Sequence, residues 1–350
     1  MMNKIPVSIL GATGIVGQRF IQLLQDHPWF EISVLCASTH SAGRTYREAC
    51  NWVLEGDPPD EVLDQIIQPI TPNLPARLVF SALPSRIARE VEPQFAEAGY
   101  IVSSNASAFR QDPDVPMIIP EVNGDHIKMV EWQAAKRGWK GLIVTSPNCT
   151  TTCAVMPLKP LDQAFTITGV IATSIQAVSG SGYPGSPYID MSDNLIPYIR
   201  GEEEKIESES LLLLGHISRR ERIPASFKIS AQANRGPIQH GHTVCLSVAF
   251  ENKPSPEAAI ELLRNYRGPE IAWSLPSAPP RPIIVRDEPD RPQPRRDRDA
   301  QSGMVATVGR VRLCPVFDLK LVSVIHNAIR GAAGGSILNA ELLVAEGYLT

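Results

Sequence analysis

An apolar strand, a glycine-rich turn and a helical pattern follow one another at the start of the chain. Residues 7–10 are mostly apolar, and residues 11–17 have the sequence Gly-Ala-Thr-Gly-Ile-Val-Gly. In this context Gly11 permits a tight turn, Gly14 lets the backbone approach a pyrophosphate, and Gly17 allows close packing of helix on strand. The spacing differs from the commoner Gly-x-Gly-x-x-Gly, and an ordinary tight turn is the alternative. We predict a doubly wound, Rossmann-like α/β domain that binds a dinucleotide at the helix N-terminus.

Later apolar runs end in small polar residues, as parallel strands do beside a ligand. Residues 76–80 precede Ser81, residues 100–102 precede a Ser-Ser-Asn segment, and residues 87–98 form a helical pattern between them. Ligands bind outside the C-terminal ends of such strands. The candidate cofactor-binding residues in this half are therefore Gly11, Thr13, Gly14, Ile15, Val16, Ser38, Ser41, Arg44, Ser81 and Leu83.

The end of the second predicted strand indicates which dinucleotide binds. NAD-binding proteins usually carry Asp or Glu there, to hold the ribose 2′-hydroxyl. Here residues 32–37 are followed by Ser38, Ser41 and Arg44, and the first carboxylate is Glu48. Hydroxyl donors with one fixed cation suit a 2′-phosphate, so we predict NADP, with an ordinary polar loop as the alternative.

Composition excludes several other classes of protein. The chain has 350 residues, 43% hydrophobic and 20% charged, with a net charge of −4. That length suggests two domains, and the charge predicts neither nucleic acid nor a membrane surface as partner. No apolar run approaches the roughly 20 residues of a membrane span, and the N-terminus does not have the pattern of a signal peptide. The six cysteines lack disulfide or metal-site spacing. We expect a cytoplasmic protein without a bound metal.

Cys149 is the candidate nucleophile. It follows a strand-like run and precedes a helical pattern that Ser146 or Asn148 can cap. A helix N-terminus favours the thiolate, the nucleophilic form of cysteine. A small buried apolar residue is the alternative, because free cysteine is usually inert. We expect the helix to break at Pro157 and Pro160.

The second half predicts an α+β domain with a mostly antiparallel sheet and helices on one face. Strand-like runs occupy residues 166–173, 226–232 and 243–250, with a helix-rich insert between the first two. The Pro-, Arg- and Asp-rich residues 279–299 interleave acids with bases, which predicts a solvated, ion-paired loop.

Two segments of this half add side chains that can act on a substrate. Residues 176–185 are glycine-rich and predict an active-site loop. Arg235, His240 and His242 lie between two predicted strands. An arginine can bind a carboxylate through two hydrogen bonds, and a histidine can move protons near neutral pH.

Together these motifs resemble the aspartate-β-semialdehyde dehydrogenases, specifically the archaeal and fungal branch. The resemblance covers nearly the whole chain. The matching stretches are residues 11–17, 81–84, 104–110, 119–123, 147–151, 176–185, 201–205, 241–243 and 327–335.

The resemblance implies an activity and residue roles. The activity is NADP-dependent reduction of L-β-aspartyl phosphate to L-aspartate-β-semialdehyde through a cysteine thioester, in lysine, threonine and methionine biosynthesis. Cys149 would be the acylated nucleophile and His242 the general acid/base. The implied substrate- and phosphate-binding residues are Gln176, Arg235, Arg110, Lys205 and Glu202. The implied further cofactor contacts are Ser179, Gly180 and Asn327.

The resemblance also implies the division of the chain. Residues 1–148 and 327–350 would form the NADP-binding domain, closed by the C-terminal helix, and residues 149–326 the catalytic and dimerisation domain of a homodimer or homotetramer. The chain departs from the family pattern at four positions where specificity can change, namely His40, Ser181, Gly236 and His240.

Other functions remain open at this point. A malonyl-CoA reductase-like enzyme would use the same cysteine and histidine on a thioester substrate. N-acetylglutamyl-phosphate reductase fits residues 179–185 and 202–205 less well. A non-catalytic NADP-binding sensor would not need Cys149 or His242, and both are present.

Overall fold

Helices and parallel strands alternate through the first half of the chain. The structure is a computed structural model that describes residues 4–349. The elements are β1 Ile5–Leu10, α1 Ile15–Leu24, β2 Phe30–Ala37, α2 Tyr46–Ala49, α3 Asp60–Leu63, β3 Gln68–Pro69, β4 Leu78–Ser81, α4 Ser85–Glu97, β5 Ile101–Ser104, α5 Pro120–Asn123, α6 Met129–Arg137 and β6 Leu142–Thr145. The strands form one parallel sheet in the order β3-β2-β1-β4-β5-β6. This is the order of dinucleotide-binding folds, and the doubly wound prediction is confirmed.

The glycine turn holds β1, α1 and the end of β2 together. Gly11 has a φ of +83°, which only glycine adopts without strain. The backbone N–H groups of Gly11 and Ala12 both donate to the Cys36 carbonyl, at 2.9 and 3.0 Å. A Cβ on Gly17 would lie 2.2 Å from the Gly11 carbonyl oxygen. Gly17 therefore serves the close packing predicted for it.

The second half builds a mixed sheet. Its elements, with the last helix, are α7 Cys149–Phe165, β7 Ile167–Gln176, α8 Tyr188–Met191, α9 Glu202–Leu213, β8 His216–Ser218, β9 Glu221–Ile223, β10 Lys228–Arg235, β11 His242–Phe250, α10 Pro256–Asn265, α11 Glu270–Trp273, β12 Ile283–Arg286, α12 Pro294–Asp297, β13 Ala306–Leu313, β14 Leu319–Ile325 and α13 Gly334–Ala345. Six strands pair in the order β10-β7-β11-β14-β13-β12. The three central pairings are antiparallel and the two outer ones parallel.

Helix α7 does not break at its prolines, and that prediction is wrong. The helix runs without interruption through Pro157 and Pro160 to Phe165. Each proline removes one backbone donor, at a cost of up to about 3 kcal/mol in a helix interior. Leu158 and Leu161 are fully buried against the second sheet. Burial of this helix face offsets the missing hydrogen bonds.

The segment 279–299 is not a solvated loop. It contains β12 and α12, and Asp297 is buried. The Asp297 carboxylate pairs with Arg286 and Arg291 and accepts a hydrogen bond from the Gln293 N–H. The expected ion pairing is present, but it ties the segment to the edge of the second sheet.

The C-terminal helix α13 returns to the first sheet. Ile337 and Leu342 share an apolar cluster with Val7 and Phe80 of β1 and β4. This packing supports a nucleotide domain made of two chain segments, while the proposed boundaries at residues 148/149 and 326/327 stay a prediction. Among the described helices, none is long and apolar enough to cross a bilayer. Within residues 4–349, no three His, Cys, Asp or Glu side chains are grouped as a metal site would need.

Candidate active site

The turn between β6 and α7 places Cys149 on the wall of a cavity of about 310 Å³. Asn148 caps the helix, and its Oδ1 accepts hydrogen bonds from the N–H groups of Thr150 and Thr151, at 2.8 and 3.1 Å. The wall is formed by residues from both halves of the chain: Ile15, Val16, Ala82, Leu83, Pro84, Ser85, Asn105, Ala106, Ser107, Arg110, Asn148, Cys149, Ser179, Gly180, Gly182, Glu202, Lys205, Asn327, Ala328, Gly331 and Ala332.

His242 lies against the cysteine. It is the first residue of β11, and its Nε2 is 3.1 Å from the Cys149 Sγ. The backbone N–H of Ala177 donates to the His242 Nδ1 at 3.0 Å. Because that bond fills the Nδ1 lone pair, a neutral imidazole carries its proton on Nε2. From this network we infer that the Nε2–H points at sulfur.

Burial favours the uncharged forms of both partners. Burial raises the pKa of Cys149 to about 12; the Glu202 carboxylate adds to the rise, while Arg110 and backbone N–H groups oppose it. Burial likewise lowers the pKa of His242 to about 3, with Arg235 contributing in the same direction. Desolvation thus opposes the preference for the thiolate that the helix N-terminus gives. The charge state of Cys149 stays a prediction.

Glu202 joins three of the predicted residues at the start of α9. Its carboxylate accepts from Lys205 Nζ at 2.7 Å, from Asn148 Nδ2 at 2.9 Å and from Gln176 Nε2 at 3.2 Å. Burial would raise the pKa of Glu202, but the Lys205 cation and these hydrogen bonds hold it below the usual value. The charged carboxylate thus anchors Lys205 beside the cysteine.

Two cations face the cavity where a phosphate would meet the sulfur. Lys205 is one. Arg110 is the other, and its guanidinium pairs with Glu209 at 3.1 Å and donates to the Asn105 carbonyl at 2.8 Å. Both cations line the cavity together with Cys149. This arrangement suits an anionic leaving group or an incoming phosphate.

Gln176 and Arg235 sit one layer behind the cavity wall. They end the parallel strands β7 and β10 and are paired in register. The Arg235 guanidinium donates to the Ala177 carbonyl at 2.8 Å and makes no ion pair with any other described residue. A Cβ on Gly180 would lie 3.0 Å from His242 Cε1 and 3.5 Å from Arg235 Nη1. Only a glycine leaves the approach to these two groups this open.

Six of the predicted cofactor-binding residues lie on the cavity wall: Ile15, Val16, Leu83, Ser179, Gly180 and Asn327. Asn327 accepts from the Gly241 N–H and donates to the Ser179 hydroxyl, both at 2.9 Å. These bonds fix the orientation of the amide and bring the C-terminal segment to the active-site loop.

The glycine turn fits a dinucleotide. No side chain caps α1 at Gly14, so the first-turn N–H groups are available to a phosphate. A Cβ on Gly14 would meet only the Gly11 carbonyl oxygen, at 3.5 Å, which leaves this side of the turn open. Thr13 lies in the same turn. Ser81 does not line the cavity; it is fully buried, and its carbonyl accepts from the Asn105 N–H.

The predicted 2′-phosphate residues lie together after β2, beside the glycine turn. Ser38 and Arg44 are exposed, and Ser41 is buried with its N–H donating to the Ser38 carbonyl at 2.9 Å. The Arg44 guanidinium donates to the Glu48 carbonyl. One exposed cation beside two hydroxyls is the donor set that a phosphate needs.

Both halves of the chain match models of one protein family. Residues 6–130 match the NAD-binding domain of semialdehyde dehydrogenases, and residues 158–330 match their dimerisation domain. An aspartate-semialdehyde dehydrogenase of Archaeoglobus fulgidus is 49% identical over 97% of this chain and 98% of its own length. The chain belongs to the semialdehyde dehydrogenase family. It is an oxidoreductase with an NAD-binding domain, and the resemblance found in the sequence is confirmed.

Other relatives of this semialdehyde dehydrogenase bear on cofactor and substrate. The crystal structure of the Candida albicans aspartate-semialdehyde dehydrogenase with NADP has a TM-score of 0.92 and 42% identity, covering 99% of this chain and 100% of that one. A malonyl CoA reductase (NADP) of Metallosphaera sedula is 39% identical over 100% of this chain and 99% of its own length. The scaffold therefore occurs with more than one named activity.

The four departures from the family pattern have different surroundings in this semialdehyde dehydrogenase. His40 is exposed, and the Ser181 hydroxyl donates to the Val178 carbonyl. Gly236 lies where a Cβ would be 2.8 Å from Ile175 Cγ2, so a larger residue there would require the Ile175 side chain to shift. His240 alone reaches the cavity wall, through its Nδ1 at 2.9 Å from the Ser179 hydroxyl.

Asn105, Gly331 and Glu209 are among the site residues that the sequence analysis did not predict. Asn105 and Gly331 line the cavity, and a Cβ on Gly331 would lie 2.6 Å from the Cys149 Cβ. Gly331 belongs to the stretch 327–335 that matches the family, so this match could have indicated that Gly331 lies in the site. Glu209 is buried behind the wall, and its signal was a position seven residues, or about two helical turns, after Glu202.

Proposed function

We propose that this chain is an NADP-dependent aspartate-semialdehyde dehydrogenase that reduces L-β-aspartyl phosphate to L-aspartate-β-semialdehyde through a thioester on Cys149. The observation that carries the proposal is the Cys149–His242 pair at 3.1 Å, on a cavity lined by Arg110 and Lys205. A nucleophile beside two cations suits an acyl group whose leaving group is phosphate.

Acylation begins with Cys149. The sulfur forms a bond to the acyl carbon of β-aspartyl phosphate, and the bond from that carbon to the phosphate oxygen breaks. Phosphate leaves with the electron pair. Arg110 and Lys205 stabilise the charge that develops on the departing oxygens. The thiol proton passes to the departing phosphate oxygen, and the His242 Nε2–H stabilises the negative charge that develops on sulfur.

His242 acts again when the aldehyde is released. A hydride added to the thioester carbon would give a tetrahedral adduct. In this adduct the carbon–sulfur bond breaks, the carbonyl re-forms and sulfur takes the electron pair. The Nε2–H lies where it can donate to this sulfur. Because Ala177 occupies Nδ1, the imidazole keeps this orientation through both steps. His242 is thus proposed as the catalytic residue whose hydrogen bond stabilises the sulfur anion in both steps.

Arg235 and Gln176 are proposed to bind the rest of the aspartyl group. Arg235 is a buried cation without a carboxylate partner among residues 4–349. A substrate carboxylate would supply that partner in a bidentate contact. Gln176, held by Glu202, lies beside it in register and would orient the acyl group.

NADPH, when bound, supplies the hydride. The glycine turn and the first turn of α1 would hold its pyrophosphate, and Ser38, Ser41 and Arg44 would bind the 2′-phosphate. Ser179, Gly180 and Asn327 would contact the nicotinamide end. The proposed product supplies lysine, threonine and methionine biosynthesis.

A homodimer or homotetramer is proposed through the uncovered face of the second sheet. Helix α7 covers one face of this sheet. On the other face Ile171 is 47% exposed, and Cys245 on the neighbouring strand is also exposed. The matched family model for this half is named a dimerisation domain. A second copy of the chain is the partner that this face fits.

The direct test runs the reaction in the oxidative direction. We expect L-aspartate-β-semialdehyde to reduce NADP only when phosphate is present. Cys149→Ser should lose this activity while still binding NADP, which fluorescence titration can measure. Malonate semialdehyde with CoA is the comparison, and activity there without activity with phosphate would favour the malonyl-CoA reductase alternative. Normal turnover by Cys149→Ser would exclude the thioester.

A further inference from the structure

Glu209 is a buried carboxylate that touches two parts of the site at once. It lies on α9 and is 1% exposed. Its Oε1 pairs with the Arg110 guanidinium at 3.1 Å, and its Oε2 accepts a hydrogen bond from the Asn148 backbone N–H at 2.6 Å. Glu209 does not line the cavity.

The contact with Asn148 bears on the nucleophile. Asn148 is the N-cap of α7, and Cys149 is the first residue of that helix. A hydrogen bond to the backbone of the cap fixes where the helix begins, and hence where the Cys149 sulfur stands. Glu202 also contacts Asn148, but it accepts a hydrogen bond from the Asn148 side-chain amide. Within residues 4–349, Glu209 is the acceptor for the Asn148 main-chain N–H, while the Asn148 carbonyl accepts from Thr152.

The contact with Arg110 bears on the anion subsite. Arg110 is buried apart from its exposure to the cavity, and its Nε has no hydrogen-bond partner within the described residues. The Asn105 carbonyl supplies one further contact. A buried guanidinium without a carboxylate would be expensive and poorly oriented. Glu209 therefore supplies both the countercharge and the direction in which Arg110 faces.

We propose that Glu209 is a positioning residue that sets the separation between the anion-binding Arg110 and the Cys149 sulfur. The role of Arg110 in binding phosphate rests on the proposed function. The hydrogen bond from the Asn148 N–H to Glu209 rests on geometry alone. The Glu209 side chain therefore links the affinity of the site for phosphate to the reactivity of the Cys149 thiol.

A merely structural role makes a different prediction. If Glu209 served only to anchor α9, its replacement would lower the thermal midpoint and the amount of active enzyme. The KM for phosphate and the reactivity of the remaining folded cysteine would not change. The two quantities must therefore be measured on folded, active protein.

The test compares Glu209→Gln with Glu204→Gln. Glu204 lies on the same helix and is exposed. Glu204→Gln therefore makes the same change from carboxylate to amide at a position that does not contact Arg110 or Asn148. We expect Glu209→Gln to raise the KM for phosphate by about tenfold, since a charged hydrogen bond to Arg110 is weakened. We also expect it to change the rate at which iodoacetamide alkylates Cys149 at fixed pH. Glu204→Gln should match the wild type in both.

A double-mutant cycle keeps the proposal open to refutation if the single variant is unstable. In an Arg110→Met background the effect of Glu209→Gln on the phosphate KM should disappear, while its effect on alkylation should persist. Wild-type values for both quantities in Glu209→Gln would overturn the inference. Oxidation of the semialdehyde by the wild-type enzyme without phosphate would instead overturn the proposed function. The alkylation rates would still test whether the hydrogen bond from the Asn148 N–H to Glu209 positions Cys149.

Discussion

At the scale of single residues, the neutral Cys149–His242 pair predicts an unusual pH dependence. With the thiol pKa raised to about 12, only a small thiolate fraction exists near neutrality. The rate of alkylation by iodoacetamide in the ligand-free protein should therefore rise by about tenfold per pH unit between about pH 7 and pH 9, without a plateau. Mass spectrometry of the alkylated protein measures this rate. A plateau below about pH 8 would mean that the helix N-terminus outweighs burial.

The hydrogen bond between His242 and sulfur predicts that two substitutions at this residue differ. His242→Ala removes the donor, and kcat should fall by about a hundredfold or more. His242→Gln keeps an N–H near the Nε2 position, so its kcat should lie between those of the wild type and His242→Ala. Steady-state kinetics in the oxidative direction give both values. Equal losses in the two variants would show that a proton must move through the imidazole.

The site residues were predictable from the sequence as a set, but their electrostatics were not. Cys149, His242, Arg110, Lys205 and Glu202 meet around one cavity, as the resemblance implied. The direction in which the thiol pKa shifts depends on how completely the fold desolvates the sulfur. The local sequence does not contain that information. It also does not show which side chains lie behind Gly180.

At the scale of elements, the glycine turn predicts two separable effects. Gly17→Ala places a Cβ 2.2 Å from the Gly11 carbonyl oxygen, so it should lower the thermal midpoint and weaken NADP binding. Gly14→Ala meets no such clash, so it should leave the midpoint unchanged and weaken only NADP binding, because the pyrophosphate must approach this position. Differential scanning fluorimetry with and without NADP checks both. A destabilised Gly14→Ala variant would contradict this division.

Element prediction succeeded where local pattern and tertiary context agree. The strand, glycine turn and α1 follow from periodicity and backbone sterics together. It failed at Pro157 and Pro160, where burial of α7 overrides a local breaking signal, and in the 279–299 segment, where Asp297 becomes a buried ion-pair centre. In each failure the deciding contacts come from residues distant in sequence.

At the scale of the whole molecule, the uncovered face of the second sheet predicts an assembly that one substitution can dissociate. Ile171→Glu puts a charge on that face, so the protein should sediment as a monomer at micromolar concentration. Val316→Glu is the control, since Val316 is an exposed aliphatic residue in the turn between β13 and β14. Sedimentation velocity compares them. A wild-type monomer, or an unchanged assembly of Ile171→Glu, would show that this face is not the interface.

The architecture was predictable because repeated strand and helix signals span each half of the chain. The mixed order of the second sheet was less accessible, since one parallel edge pairing joins strands far apart in sequence, β10 with β7. The cavity depends on both halves and on the return of α13 to the first sheet.

The central claim is that Cys149 carries the acyl group, and intact-protein mass spectrometry tests it most directly. After incubation with L-β-aspartyl phosphate and no NADPH, the wild-type chain should gain the mass of one aspartyl group, located on Cys149 by peptide mapping. The gain should vanish on adding NADPH and be absent from Cys149→Ser. An unmodified wild-type chain that still turns over, or an adduct at another residue, would contradict the account.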